Sequence, residues 1–95
     1  MVTLQIQHAI TDLDTWLGAF SRFEDVRRKA GVVSHRVRQP LDDAAYIYVD
    51  LAFETAERAA TFRTFLEENV WISRTASPAL AGAPEARILT DVDAM

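Results

Sequence analysis

Hydrophobic residues recur along this chain at every second position in some stretches and at every third or fourth position in others. The stretches follow in the order alternating, helical, alternating, alternating, helical, alternating, which predicts the element order βαββαβ. That order within 95 residues predicts a two-layer α+β sandwich of the split-βαβ type. We expect a single domain over residues 1–95, because the chain is too short for two cores.

The first half of the pattern predicts a strand followed by a long helix. Thr11 or Asp12 offers a side-chain oxygen as helix N-cap, apolar residues then recur at helical spacing as far as Phe23, and Gly31 can take the left-handed C-cap. The preceding strand covers residues 3–10, and its even positions are Leu4, Ile6, His8 and Ile10.

The second half predicts two adjacent strands, a helix and a last strand. The segment Trp71–Pro84 is longer than most connections in small domains, so we expect a loop or lid with one short helical turn at residues 77–80. The predicted elements are a strand over residues 33–38 with Val33, His35 and Val37 in the apolar phase, a strand over 45–53, a helix over 55–70 capped by Thr55, and a strand over 87–92.

Composition excludes several classes of function. The net charge of −4 disfavours nucleic acid as a partner, because such binding depends on clustered positive charge. The absence of cysteine removes disulfides, thiolate metal sites and a cysteine nucleophile. The N-terminal residues do not resemble a signal peptide and no stretch approaches 18 apolar residues, so we expect a cytoplasmic protein without membrane association.

One face of the predicted sheet carries polar and aromatic side chains. We interpret it as a homodimer interface, because tyrosine and arginine are typical of interfaces and a small domain gains stability by burying more surface. An RNA-binding platform of the RRM type is the alternative, but residues 44–51 lack the basic residue and glycine that open that signature. The residues assigned to the interface are Gln5, Gln7, Arg36, Tyr46, Tyr48 and Arg87.

Two histidines, His8 and His35, share the aliphatic phase of their strands and are therefore expected between sheet and helices. Each is either a hydrogen-bonded core residue or part of a ligand site. In a split-βαβ sheet another strand separates their two strands, which places the imidazoles about 9–10 Å apart. We therefore expect no metal site.

The aromatic residues Trp16, Phe20 and Trp71 are either ordinary core residues or the walls of an apolar pocket that the segment 71–84 closes. His8 is then the one candidate catalytic group and His35 a further lining residue. Arg27 or Arg74 is available for an anionic group of the ligand. The serines lie in no recognisable nucleophile motif.

Several short motifs together resemble the small bacterial dimeric α+β barrel proteins related to the antibiotic-biosynthesis monooxygenases. The resemblance implies a ferredoxin-like protomer with a four-stranded antiparallel sheet that packs on its partner's sheet to form a barrel. The residues that carry it are His8-Ala9-Ile10, Asp12, Asp14, Trp16, Phe20, Arg27, Ala30-Gly31, Leu41-Asp42-Asp43, Phe62 and Ala81-Gly82-Ala83-Pro84.

The resemblance also implies a range of activities, since characterised members include cofactor-free oxygenases of aromatic polyketides and haem-degrading enzymes. The haem degraders use an Asn on strand one, a Trp on strand three and a His on helix two. This chain has none of these, so no haem or other cofactor is expected. The monooxygenases often carry histidine near the segment Ser77-Pro78-Ala79-Leu80, where this chain has none.

Two functions follow as expectations. The first is a cofactor-independent monooxygenase or isomerase-like enzyme for a small conjugated molecule, with His8 as base or hydrogen-bond donor. The second is a non-catalytic module that binds a small molecule or a protein, because the chain lacks a complete catalytic set.

Overall fold

Four antiparallel strands form one sheet in the order β2-β3-β1-β4, with the helices on one of its faces. The computed structural model describes residues 1–93. The predicted element order and the ferredoxin-like fold are confirmed. The elements are β1 (Val2–Ile10), α1 (Leu13–Arg22), α2 (Glu24–Lys29), β2 (Val32–Arg38), β3 (Tyr46–Phe53), α3 (Ala56–Phe65), a π-helical turn (Leu66–Val70) and β4 (Leu80–Thr90).

The core lies between the sheet and the helices, and the two central strands supply most of it. Leu4 pairs with Leu51 and Ile6 pairs with Val49 in the antiparallel register, so these side chains share one face. All four are buried. Burying a side chain of this kind stabilises the fold by about 1.5–3 kcal/mol. The helices complete the core with Ala59 and Phe62, and Phe53 and Ile47 are also buried.

The prediction of a single first helix is wrong, because two helices, α1 and α2, meet at Phe23. Asp12 rather than Thr11 caps α1, since its carboxylate accepts from the backbone N–H of Thr15 at 2.8 Å. At the break, the carbonyl of Phe20 accepts from both the Phe23 N–H and the Arg27 side chain. The helix thus breaks at Phe23, where the Arg27 side chain binds a carbonyl of α1. The spacing of apolar residues does not reveal this break.

The second predicted helix begins as expected and ends differently. The Thr55 hydroxyl accepts from the backbone N–H of Arg58 at 3.2 Å, which confirms the N-cap. The α-helix then ends at Phe65 and continues as the π-helical turn Leu66–Val70. In the part of the chain that the structure describes, no helix is long and apolar enough to cross a membrane.

Irregular pairing shifts both edge strands from their predicted positions. On β2 the register changes between Val32 and Ser34, so that Val32 opposes Phe53 while Val33 is exposed. The alternation assigned to Val33 is therefore wrong, because a bulge moves it out of phase.

The last strand begins at Leu80 rather than at residue 87 and ends at Thr90 rather than at residue 92. Its first half contains Gly82, with φ of 75°, and Pro84, beside a register shift between Gln7 and Ala9 of β1. These two residues favour a loop in the sequence, but an edge strand tolerates them because one of its sides forms no ladder. The predicted loop 71–84 shortens to residues 71–79.

Candidate active site

A cavity of about 90 Å³ lies between the sheet and the helices. Strands β1 and β3 form its floor, α1, α2 and α3 form its walls, and the π-helical turn with residues 71–79 closes it. Three of its lining residues are polar and the others are apolar or aromatic. The lining residues are Ile6, His8, Trp16, Ala19, Phe20, Phe23, Arg27, Val49, Leu51, Phe62, Leu66, Val70, Trp71, Ala76, Ser77, Pro78, Ala79 and Leu80.

His8 is the imidazole of this cavity and is 5 % exposed. It lies at the register shift between β1 and β4. Gln7 pairs with Glu85 and Ala9 with Ala81, so β4 contains extra residues opposite His8. Burial lowers the pKa of His8 below its ordinary value, and the hydrogen bond to the carbonyl of Ala9 opposes that shift in part. The ring is therefore neutral near pH 7.

The hydrogen bond of His8 selects its tautomer. Nδ1 lies 2.8 Å from the carbonyl oxygen of Ala9, which can only accept, so Nδ1 carries the proton of the neutral ring. Nε2 then has a free lone pair. No fully buried side-chain nitrogen or oxygen among residues 1–93 lacks a hydrogen-bond partner, so the unpartnered Nε2 retains accessible surface. The site thus presents a neutral imidazole that can accept a proton.

Aromatic rings connect His8 to the other end of the cavity. The rings of Trp16 and Phe20 are stacked, with centroids 4.9 Å apart, and the Trp16 ring lies 6.5 Å from the imidazole of His8. These side chains come from one face of α1, whose residues 16 and 20 are one turn apart. The wall is apolar and aromatic, which suits a conjugated molecule.

Arg27 is the cation of the cavity, and its residue is only 7 % exposed. Its Nη1 donates to the carbonyl of Phe20, at the C-terminal end of α1, where the helix dipole favours positive charge. Its Cζ lies 3.6 Å from the centre of the Phe20 ring. Burial lowers the pKa of Arg27, while the charge of Glu24 opposes that shift; the guanidinium remains protonated at physiological pH.

The segment 71–79 closes the cavity and is attached to the π-helical turn at its start. The backbone N–H of Trp71 donates to Leu66 at 2.8 Å, and the hydroxyl of Ser77 donates to the carbonyl of Val70 at 2.9 Å. The far end is bonded to the connection between β1 and α1, because the backbone N–H of Thr11 donates to the carbonyl of Ala79 at 2.9 Å. π-Helical turns are frequent at functional sites.

The structure brings together five of the predicted site residues and leaves two outside. His8, Trp16, Phe20, Arg27 and Trp71 all line the cavity. Whether they bind a ligand stays a prediction.

His35 and Arg74 are not among the lining residues. His35 faces the helices opposite Leu51, as predicted, but it lies on an edge strand and is exposed. Its ring packs against Phe20 in a T-shaped arrangement, with centroids 5.3 Å apart. Arg74 is exposed within the segment 71–79.

The sequence analysis missed Phe23 and Ser77 as lining residues. Phe23 continues the three- and four-residue spacing of Trp16 and Phe20, and that signal could have identified it. Ser77 lies in an irregular segment whose folding over the cavity has no local signature.

The opposite face of the sheet is polar, and side-chain hydrogen bonds connect its strands within the protomer. Asp50 of β3 accepts from Gln5 of β1 at 3.2 Å and from Arg38 of β2 at 2.7 Å, so it joins three strands. The rings of Tyr46 and Tyr48 lie 5.4 Å apart between centroids. The predicted interface residues share this face, which we call the open face: Gln5, Gln7, Arg36, Tyr46, Tyr48 and Arg87.

No protein-family model matches the chain, and no curated protein matches it in sequence. Solved structures match its fold. SnoaB, a cofactor-independent oxygenase from Streptomyces nogalater, superposes with a TM-score of 0.71 at 18 % identity, covering 99 % of this chain and 95 % of that chain. An antibiotic biosynthesis monooxygenase superposes with a TM-score of 0.69 at 10 % identity, covering 98 % of this chain and 100 % of that chain.

A third match is a dimeric ferredoxin-like protein from an uncultured marine organism, with a TM-score of 0.63 at 8 % identity, covering 96 % of this chain and 97 % of that chain. At these identities the comparisons establish a shared fold. The predicted resemblance to α+β barrel proteins related to antibiotic-biosynthesis monooxygenases is therefore confirmed at the level of the fold.

Proposed function

We propose that this protein is a cofactor-independent monooxygenase-like enzyme that acts on a small conjugated molecule in the cavity between sheet and helices. The observation that carries the proposal is a buried neutral imidazole, His8, whose Nε2 is free to accept a proton beside a stacked aromatic wall. The fold shared with SnoaB, described as a cofactor-independent oxygenase, supports the same reaction class.

In the proposed reaction, His8 Nε2 removes a proton from an activated C–H or O–H group of the substrate. The resulting anion is delocalised over the conjugated system, which packs against Trp16. Dioxygen adds to the carbanionic carbon, reprotonation gives a hydroperoxide, and loss of water leaves a carbonyl group. If the proton instead returns to a different atom, the net reaction is an isomerisation.

The volume of the cavity restricts the substrate. Ligand pockets commonly measure about 300–1,000 Å³, whereas this cavity measures about 90 Å³. In the conformation described, a single ring is therefore favoured over a fused polycycle. A larger substrate requires the segment 71–79 to move outward.

We propose further that the protein is a homodimer that associates through the open face. Tyr46 and Tyr48 offer a large aromatic surface there, as is typical of interfaces. One structure of similar fold is described as dimeric. The open face does not favour a polyanion, since Asp50 pairs with Arg38 and Glu85 with Gln7 on the same surface.

The test of the enzymatic proposal is aerobic incubation with a panel of single-ring phenols and hydroquinones, followed by mass spectrometry of the products and oxygen-electrode measurements. We expect a product that gains one oxygen atom and loses two hydrogen atoms, with a rate that falls about 100-fold or more in His8→Gln and is unchanged in His35→Gln. Turnover by His8→Gln at the wild-type rate would remove His8 from the mechanism. Ligand-induced stabilisation with no turnover of any compound would favour the binding module instead.

A further inference from the structure

Arg27 is a buried cation, and no carboxylate of residues 1–93 lies within ion-pair distance of it. Among residues 1–93, the ion pairs are Arg28 with Asp25 and Arg38 with Asp50, and neither involves Arg27. Glu24 acts on it only as a longer-range charge. A buried charge without a partner is costly, so its retention requires a compensating interaction.

The hydrogen bonds of Arg27 use only some of the N–H donors of its guanidinium group. A guanidinium has five N–H donors, and the partner found among the described residues is the carbonyl of Phe20. No fully buried side-chain nitrogen in this part of the chain lacks a partner. The remaining donors of Arg27 therefore reach accessible surface, and Arg27 lines the cavity.

The position of Arg27 is set by the Phe20 ring. Trp16 stacks on this ring at 4.9 Å, and the guanidinium lies at 3.6 Å from its centre. One face of a ring cannot hold both groups at these distances, so they occupy opposite faces. Successive contacts thus link the four side chains: the neutral base His8 neighbours Trp16, Trp16 stacks on Phe20, and Phe20 carries the guanidinium of Arg27.

We infer that the ligand of this cavity is a small aromatic or conjugated molecule carrying a carboxylate or a comparably acidic oxygen, which Arg27 binds. This inference rests on the proposed site and extends it by naming the substrate class. Arg27 supplies planar N–H donors that match a carboxylate, and the anion supplies the missing counter-charge. Arg74, the other arginine considered, is exposed and outside the cavity.

The test compares benzoate with its neutral isostere benzamide. Trp16 and Trp71, the two tryptophans of the chain, both line the cavity, so intrinsic fluorescence reports binding directly. We expect benzoate to bind wild-type protein about 10-fold or more tightly than benzamide. Arg27→Gln should abolish this preference, and Arg27→Lys should restore part of it.

Arg28→Gln is the matched control, because Arg28 lies on the same helix with its side chain 70 % exposed. It should leave the benzoate preference unchanged. A purely structural role of Arg27 would alter stability in the variants without changing the ratio of the two affinities. Equal binding of the two probes, no binding of benzoate at millimolar concentration, or a preference that survives in Arg27→Gln would each overturn the inference.

The same experiment separates this inference from the enzymatic proposal. If benzoate binding depends on Arg27 but no substrate is turned over, the anion site is supported and the proposed reaction is contradicted. Turnover of neutral substrates at rates insensitive to Arg27→Gln would support the reaction and remove the anion site.

Discussion

The Nδ1 atom of His8 lies 2.8 Å from the carbonyl oxygen of the next residue, Ala9, so the backbone of β1 holds the proton of the only imidazole in the described cavity. This contact leaves Nε2 as the basic nitrogen and orients the ring toward the aromatic wall. Burial lowers the pKa of His8 and outweighs the opposing effect of this hydrogen bond, so the ring is neutral at physiological pH.

The first prediction concerns the stability of the protein in acid. The unfolded chain takes up a proton at His8 near pH 6.5, whereas folded His8 resists protonation until lower pH. The contribution of His8 to the free energy of unfolding is therefore constant above that value. It falls with decreasing pH through the window down to the folded pKa, by at most about 1.4 kcal/mol per pH unit.

Urea unfolding of wild type and His8→Gln across pH 5–8 measures this effect as the difference between the two proteins. The difference should change only on the acid side of the range. His35→Gln, whose side chain is exposed, should follow the wild type throughout. A difference that is independent of pH would contradict the assigned burial of His8.

The second prediction concerns the closure of the cavity. Ser77→Ala removes the hydrogen bond to the carbonyl of Val70, whose residue is buried, and so weakens the attachment of residues 71–79 by about 1 kcal/mol. Amide hydrogen exchange in that segment should become about fivefold faster. Thr75→Ala, at an exposed position of the same segment, should leave exchange unchanged. Equal rates in the two variants would mean that Ser77 does not hold the segment closed.

The third prediction contrasts two glycines. Gly31 has φ of 96°, and an added Cβ would lie 2.8 Å from the Arg58 side chain, so Gly31→Ala should destabilise the protein by about 1–2 kcal/mol. Gly18 lies within α1 with open space at its Cβ position, so Gly18→Ala should stabilise it by about 0.5–1 kcal/mol. Thermal or urea unfolding measures both effects, and changes of the same sign would contradict the helix boundaries.

The fourth prediction concerns association. Sedimentation equilibrium should give twice the mass of one chain, and Tyr48→Glu should weaken the dimer about 10-fold or more by placing a charge on the open face. Thr64→Glu adds the same charge at an exposed position of α3 and serves as control. A wild-type protein that sediments as a single chain at high concentration would show that the open face is not an interface.

Many residues of the site could be predicted from local sequence patterns, and the residues that were missed or misplaced have physical reasons. Trp16 and Phe20 follow helical spacing within α1, so their common side was visible in the sequence, whereas Arg27 lies beyond the break at Phe23 and lines the cavity from α2. Ser77 was missed because it reaches the cavity only through the irregular path of residues 71–79. His35 was placed in the pocket because strand phase reports which face a residue occupies, but not whether helices cover that part of the sheet.

The sequence by itself determined the element order, the two faces of the sheet and the cap at Thr55, because each depends on side chains a few residues apart. Only the tertiary structure determined the break at Phe23, the register shifts beside Val33 and His8, and the early start of β4. Those features depend on contacts between segments far apart in the chain. The cavity belongs to the same class, since β1, α1, α2 and the segment 71–79 enclose it only after the sheet has paired.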